Sequence, residues 1–404
     1  MSKFRLLKNS PSGVGGINSA ILGAAFLMAT SAIGPGFLTQ TTKFTQELAA
    51  SFGFVILVSI ILDIGAQLNI WRIVAVSENR AQDLANKLLP GLGFLLAGLI
   101  LFGGLIFNIG NIAGCGLGVN VLTGLKPEYG AIISCVMALG IFWYREAGKL
   151  MDNFAKLLGI IMIGLTVYVA ITSHPPVGQA LYRTVWPEKI DIMKIVTLVG
   201  GTVGGYISFA GVHRLLDAGI KGKDKLPQVT RSSISGILIT SIMRFVLFFA
   251  ALGVVWHGAT LAADNPAASV FKIAAGDLGY IFFGVVIWCA SITSVIGASY
   301  TSVSFWKTFH PFIAKNERIF ISVFIIIATA SFIIMGDPVK RLIFAGAING
   351  IILPFALIII LVASGRSSLM KSYKHPLWLQ FFGWLVAATL SWMSYKTFYQ
   401  LFIK

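Results

Sequence analysis

The sequence predicts an all-α integral membrane protein with eleven transmembrane helices, and three observations carry that expectation. Only 11% of the 404 residues are charged and 56% are hydrophobic, with a mean hydropathy of +0.85. Soluble domains carry about a quarter charged residues. The apolar residues also arrive in blocks such as 319–335, 342–363 and 378–402. These match the ~20 residues that a helix needs to cross a ~30 Å hydrocarbon core. The strict alternation of a transmembrane β-strand is absent.

In chain order, the spans are expected at 17–48, 53–75, 91–125, 129–145, 151–173, 193–219, 232–256, 275–303, 319–335, 341–363 and 377–402. Between them the longest polar connections are Arg72–Lys87, Ser173–Lys194 and Arg214–Arg231. The chain therefore reads as a single transmembrane domain over 1–404, with no soluble domain. The first block does not resemble a cleaved leader, because it is long and runs directly into Gly34-Pro35-Gly36. Cys115, Cys135 and Cys289 all fall inside apolar blocks, where they suit packing and form neither a disulfide framework nor a CxxC metal pattern.

Lysine and arginine placement sets the expected orientation. With the N-terminus in the cytoplasm, the inner segments hold Lys3, Arg5, Lys8, Arg80, Lys221, Lys223, Lys225, Lys315 and Lys371 among others. The outer segments hold fewer, including Lys126, Arg183, Lys189 and Lys340. The expectation is a multi-pass cell-membrane protein, N-terminus inside and C-terminus outside. The formal charge of +16 then follows from this bias and from scarce acids. No interleaved basic and aromatic surface points to nucleic acid. The expected partners are the lipid bilayer and a small transported solute or cation; no cofactor and no obligate protein partner are expected.

Two of the spans carry breaks. The first runs apolar to Ile33, meets Gly34-Pro35-Gly36 and continues with Phe37. Proline removes a backbone donor and clashes one turn back, and the freed groups must then line a cavity rather than lipid. A simple proline kink is the alternative. Five spans later comes Gly200-Gly201-Thr202-Val203-Gly204-Gly205, followed by Ser208-Phe209-Ala210-Gly211-Val212-His213. Close helix packing would also use such glycines. Breaks at matching positions point to two inverted five-helix repeats, 17–173 and 193–363, with a midplane site between them and an extra helix at 377–402. That arrangement is one of secondary-active transport by alternating access. No HExxH, GxSxG or paired mid-depth carboxylates suggest an enzyme, and no filter sequence suggests a channel.

Several stretches, taken in order, resemble one family. They are Gln67 and Arg72 with Asp83-Leu84-Ala85, then Asn120-Val121-Leu122-Thr123-Gly124, Ser291-Ile292-Thr293-Ser294-Val295-Ile296-Gly297 and Leu353-Pro354-Phe355-Ala356-Leu357. The sequence is similar to the NRAMP metal transporters (natural resistance-associated macrophage proteins). That resemblance implies the LeuT-type fold and proton-coupled uptake of divalent transition metals. The family's metal site uses Asp-Pro-Gly-Asn in its first helix and Met-Pro-His in its sixth. Here those positions read Gly34-Pro35-Gly36-Phe37 and Gly211-Val212-His213, or Phe209-Ala210-Gly211 if the alignment slips. The expected substrate-binding set is therefore Gly34, Pro35, Gly36, Phe37, Phe209, Gly211, His213 and Asn349. No metal ligands are assigned: the carboxylate, amide and thioether are absent, and transition metals call for nitrogen or sulfur ligands. The cargo is left between a hydrated hard dication such as magnesium, held through oxygen, and a small organic or neutral solute.

At the positions of the family's proton-path acids stand Asn108 and Asn111, which do not titrate. Asp63 and Arg244 lie mid-span in repeat-equivalent helices and are expected to form a buried ion pair, with Asp63 as a proton carrier the alternative. His213 serves either to satisfy freed carbonyls or as a relay. Lys43 and Lys156 are expected to snorkel to the interfaces, or Lys156 to stand in for a coupling cation.

Overall fold

The computed structural model describes residues 32–144, 160–371 and 373–403. Their regular structure is helical: α1 (Pro35–Leu48), α2 (Phe52–Ser77), α3 (Ala81–Leu88), α4 (Leu92–Thr123) and α5 (Pro127–Trp143) are followed by α6 (Ile160–Thr172) and α7 (Val177–Val185). Then come α8 (Ile192–Thr202), α9 (Tyr206–Asp217), α10 (Leu226–Trp256), α11 (Pro266–Trp306), α12 (Glu317–Met335), α13 (Pro338–Ser364) and α14 (Leu377–Phe402). Proline stands in the first turn of α1, α5, α10, α11 and α13, where its missing N–H has no helical partner to lose and its φ is preset for the helix.

Among the described residues, eight helical stretches are long and apolar enough to cross a membrane, or nine with the bent pair α6 and α7. The eleven expected spans are not all reached in this way. One stretch, Pro35–Ser77, joins two expected spans across the positive φ of Ala49, and α5 is a shorter apolar helix. The parts 17–31 and 151–159 of the first and fifth expected spans lie outside the described residues, as does Lys156. The expected start at 275 is close to an interruption at Gly276 (φ 65°), which divides α11. The chain is a multi-pass membrane protein of all-helical architecture.

The helices form a core of polar seams inside a lipid-facing shell. Ile334, Leu377, Leu278 and Phe381 are exposed on the outside, where hydrocarbon rather than water would meet them. The most apolar window of α8 and α9 is instead buried throughout, so this helix pair is the centre of the molecule. Glycine brings α8 against α13. A Cβ on Gly200 would lie 1.9 Å from the Gly346 oxygen and 2.2 Å from the Gly350 nitrogen, an approach that only backbone against backbone permits. α4 packs mainly on α11 and α13, and α10 on α1 and α2.

Polar clusters close the two ends of the core. At one, Lys194 pairs with Glu47 at 3.1 Å and with Asp191, and Lys43 with Glu47 at 3.5 Å. Lys43 thus sits among charged partners at the end of the bundle. At the other, Arg80 meets Asp217 at 2.8 Å and Glu78 meets both Lys371 and Lys221. The Lys371 ammonium holds the Glu78 carboxyl below its usual range.

Candidate functional site

The two interruptions lie at the middle of the bundle. At the first, Gly34 is extended (φ −102°, ψ −169°) and α1 starts at Pro35. Gly114 of α4 makes room for it: a Cβ there would lie 2.3 Å from Pro35 Cβ and 2.6 Å from Ser291 Oγ. Gly36, Phe37, Thr39, Gln40 and Thr41 are buried.

The second interruption separates α8 from α9 at Val203, Gly204 and Gly205. Gly205 takes φ 51° and its missing Cβ would lie 1.8 Å from Asn349 Oδ1, so both backbone and space call for glycine. The freed carbonyls are satisfied locally, as burial in a membrane requires. The Ser208 hydroxyl donates to the Val203 oxygen, and the Trp71 indole donates to the Ser208 oxygen at 2.8 Å. Asn349 donates to the oxygens of Gly103 and Ala345 at 2.9 Å each, tying α13 to α4 beside the break.

This placement relocates the second half of the expected site. Phe209, Gly211 and His213 stand inside the intact helix α9, beyond the break rather than in it. Gly211 packs against the Trp71 ring. His213 accepts from the Ala81 N–H at 3.2 Å and stacks near Phe305 and Phe209, which ties α9 to α3 and α11 near the Arg80 end. The Gly-Gly pair at 204–205 was the local signal for the break. Thr202 and Tyr206, which border it, were not singled out from the sequence.

Arg244 connects the two interruptions. It reaches from α10, is 2% exposed, and donates from Nη1 to Thr202 Oγ1 at 2.7 Å. The centre of its guanidinium lies 4.5 Å from the centroid of the Phe37 ring, a cation–π geometry. Its Nε and Nη2 have no hydrogen-bond partner among the described residues, and neither has Asp63 Oδ1. Asp63 on α2 is also buried and lies within electrostatic reach of Arg244. No ion pair within 4.0 Å joins them among the described residues. The two charges are therefore neighbours and not a closed bridge.

Amides fill the α4 side. Asn108 donates to Ser299 Oγ at 2.9 Å. Asn111 lies beside the Tyr206 side chain. Gln40 donates to the Leu342 oxygen at 3.1 Å. The centre thus offers one guanidinium, one carboxylate and several amides and hydroxyls. No group of three or more His, Cys, Asp or Glu able to hold a metal occurs among the described residues.

Over residues 25–400 the sequence matches the family model for natural resistance-associated macrophage protein-like (Nramp) proteins. The chain belongs to this family. It is 61% identical to an uncharacterized membrane protein of Bacillus subtilis, YcsG, over 94% of both chains. Among solved structures it resembles the manganese transporter of Eremococcus coleocola, with a TM-score of 0.73, 14% identity and coverage of 96% of this chain and 87% of that one. It also resembles MhsT in complex with L-phenylalanine, with a TM-score of 0.66, 16% identity and coverage of 94% and 98%. These likenesses establish the transporter fold that the resemblance implied. In this chain the interruption falls at Val203–Gly205, and Gly211–His213 lie within the helix that follows it.

Proposed function

We propose that this Nramp-family chain is a secondary-active transporter that alternates access around the breaks at Gly34–Phe37 and Val203–Gly205, and that its cargo is a small organic solute. The observation that carries the reading is Arg244 held between Phe37 and Thr202. A dication ~6 Å from a fixed guanidinium would be repelled by on the order of 5 kcal/mol at an effective dielectric of ~20. Its desolvation would need ligands that Gly34, Gly36 and Phe37 do not provide. Asn108 and Asn111 bind no proton, so proton coupling does not pass through those two side chains. In this reading Pro35, Gly36, Phe37, Thr202, Tyr206 and Asn349 border the cargo, the N-terminus faces the cytoplasm and the C-terminus faces outside.

The family name and the fold neighbour favour a divalent metal, and reconstitution separates the two readings. Proteoliposomes holding the full chain are expected to show no saturable uptake of Mn²⁺ or Mg²⁺. Solute-driven currents in the same vesicles should be unaffected by EDTA. Saturable uptake of either ion would overturn the organic-solute reading and leave the transporter reading in place.

A further inference from the structure

We propose that the Nε/Nη2 edge of Arg244 receives the carboxylate of the cargo, so that the transported solutes are small organic acids. This rests on the organic-solute reading above and names the chemical class that reading leaves open.

The geometry of the guanidinium carries the argument. Its Nη1 is spent on Thr202 and its central carbon lies over the Phe37 ring. The two nitrogens without partners among the described residues, Nε and Nη2, form one edge of the planar group. Their N–H bonds run parallel, and this fork matches the two oxygens of a carboxylate. A buried cation with two idle donors is costly unless something completes it, and its orientation is already fixed by ring and hydroxyl.

The surroundings point the same way. α1 and α9 both begin at the breaks, at Pro35 and Tyr206, so two helix N-termini add partial positive charge there. A single guanidinium suits at most one negative charge. A phosphate dianion would call for further cations, and no other Lys or Arg is buried beside the breaks among the described residues. Phe37, Leu38, Met243 and Leu247 belong to one buried apolar cluster, which gives the body of an acid a dry wall. The Asn111 amide beside Tyr206, and Asp63 Oδ1, which has no partner among the described residues, can meet polar groups on that body.

The test uses purified full-length protein and thermal unfolding. The probes are propionate, lactate, glycine and phenylacetate, each paired with its carboxamide, and MnCl₂. At least one carboxylate is expected to raise Tm while its carboxamide does not, a comparison that needs no variant. Arg244→Lys keeps the charge and loses the fork, and is expected to weaken that carboxylate about 10- to 100-fold. Equal stabilisation by acid and amide would overturn the carboxylate assignment and leave an organic cargo standing. An unchanged carboxylate response in Arg244→Lys would reduce Arg244 to the counter-charge of Asp63. No response to any carboxylate would also overturn the assignment, and a response to Mn²⁺ alone would overturn the organic-solute reading itself.

Discussion

At the scale of single residues, the polar side chains of this protein are defined by what lies far away in sequence. Arg244 is an intramembrane charge, which implies a partner, but the partners it has are a phenylalanine face and a threonine hydroxyl rather than the aspartate one would pair it with. His375 shows the same dependence outside the spans. It bridges Asn69 Oδ1 at 2.8 Å and the Tyr373 hydroxyl at 3.1 Å. Burial, with the Arg72 guanidinium adding to it, pushes its imidazole down to about 4. The unfolded chain's histidine titrates near ~6.5. Between those values the unfolded state binds a proton that the folded state does not, so stability is fully present above ~6.5 and is lost as pH falls towards about 4. His375→Gln should flatten the fall in Tm across that window. A Tm profile with the same slope in the variant would show that other groups set it.

At the scale of elements, the decisive feature is a helix divided at Val203–Gly205. The stretch 200–211 contains five glycines, and three of them have clearly different tasks. Gly200 lets α8 lie against α13, Gly211 lets α9 lie against Trp71, and Gly205 turns the chain between them. Gly205→Ala is expected to destabilise by about 2–3 kcal/mol through the left-handed backbone and the collision with Asn349 Oδ1, and to abolish transport. Gly219 also has a positive φ (77°) but nothing within 4 Å of its missing Cβ. Gly219→Ala should therefore cost only about 1–2 kcal/mol and leave transport intact. Equal losses of Tm in the two variants would mean that crowding at Asn349 contributes nothing.

At the scale of the whole molecule, charge placement predicts orientation. The native cysteines are buried, so introduced ones report against a low background. Cysteines at Lys126 and Lys189 should react with an impermeant maleimide in intact cells. Cysteines at Lys221 and Lys371 should react only after permeabilisation. The reverse pattern would invert the topology. Lys221 and Lys371 share Glu78 at one end of the bundle, and Lys189 follows α7, near the end where Lys194 meets Glu47. The labelling pattern therefore tests the packing and the positive-inside bias together.

Much of this was legible without coordinates. The membrane class, the all-helical architecture and the family follow from features that act locally. Twenty apolar residues must cross or be buried, and Gly-Pro-Gly weakens a helix wherever it stands. The position of the second break and the composition of the centre were settled by tertiary structure. Any of several glycines can tolerate an interruption, and only Asn349, Gly346 and Gly350 pressing on 200–205 single out Gly205. Likewise a sequence reveals that an arginine is buried, but not which of its edges is left without a partner. That depends on Phe37, Thr202 and Arg244 being carried to the same point by three different helices.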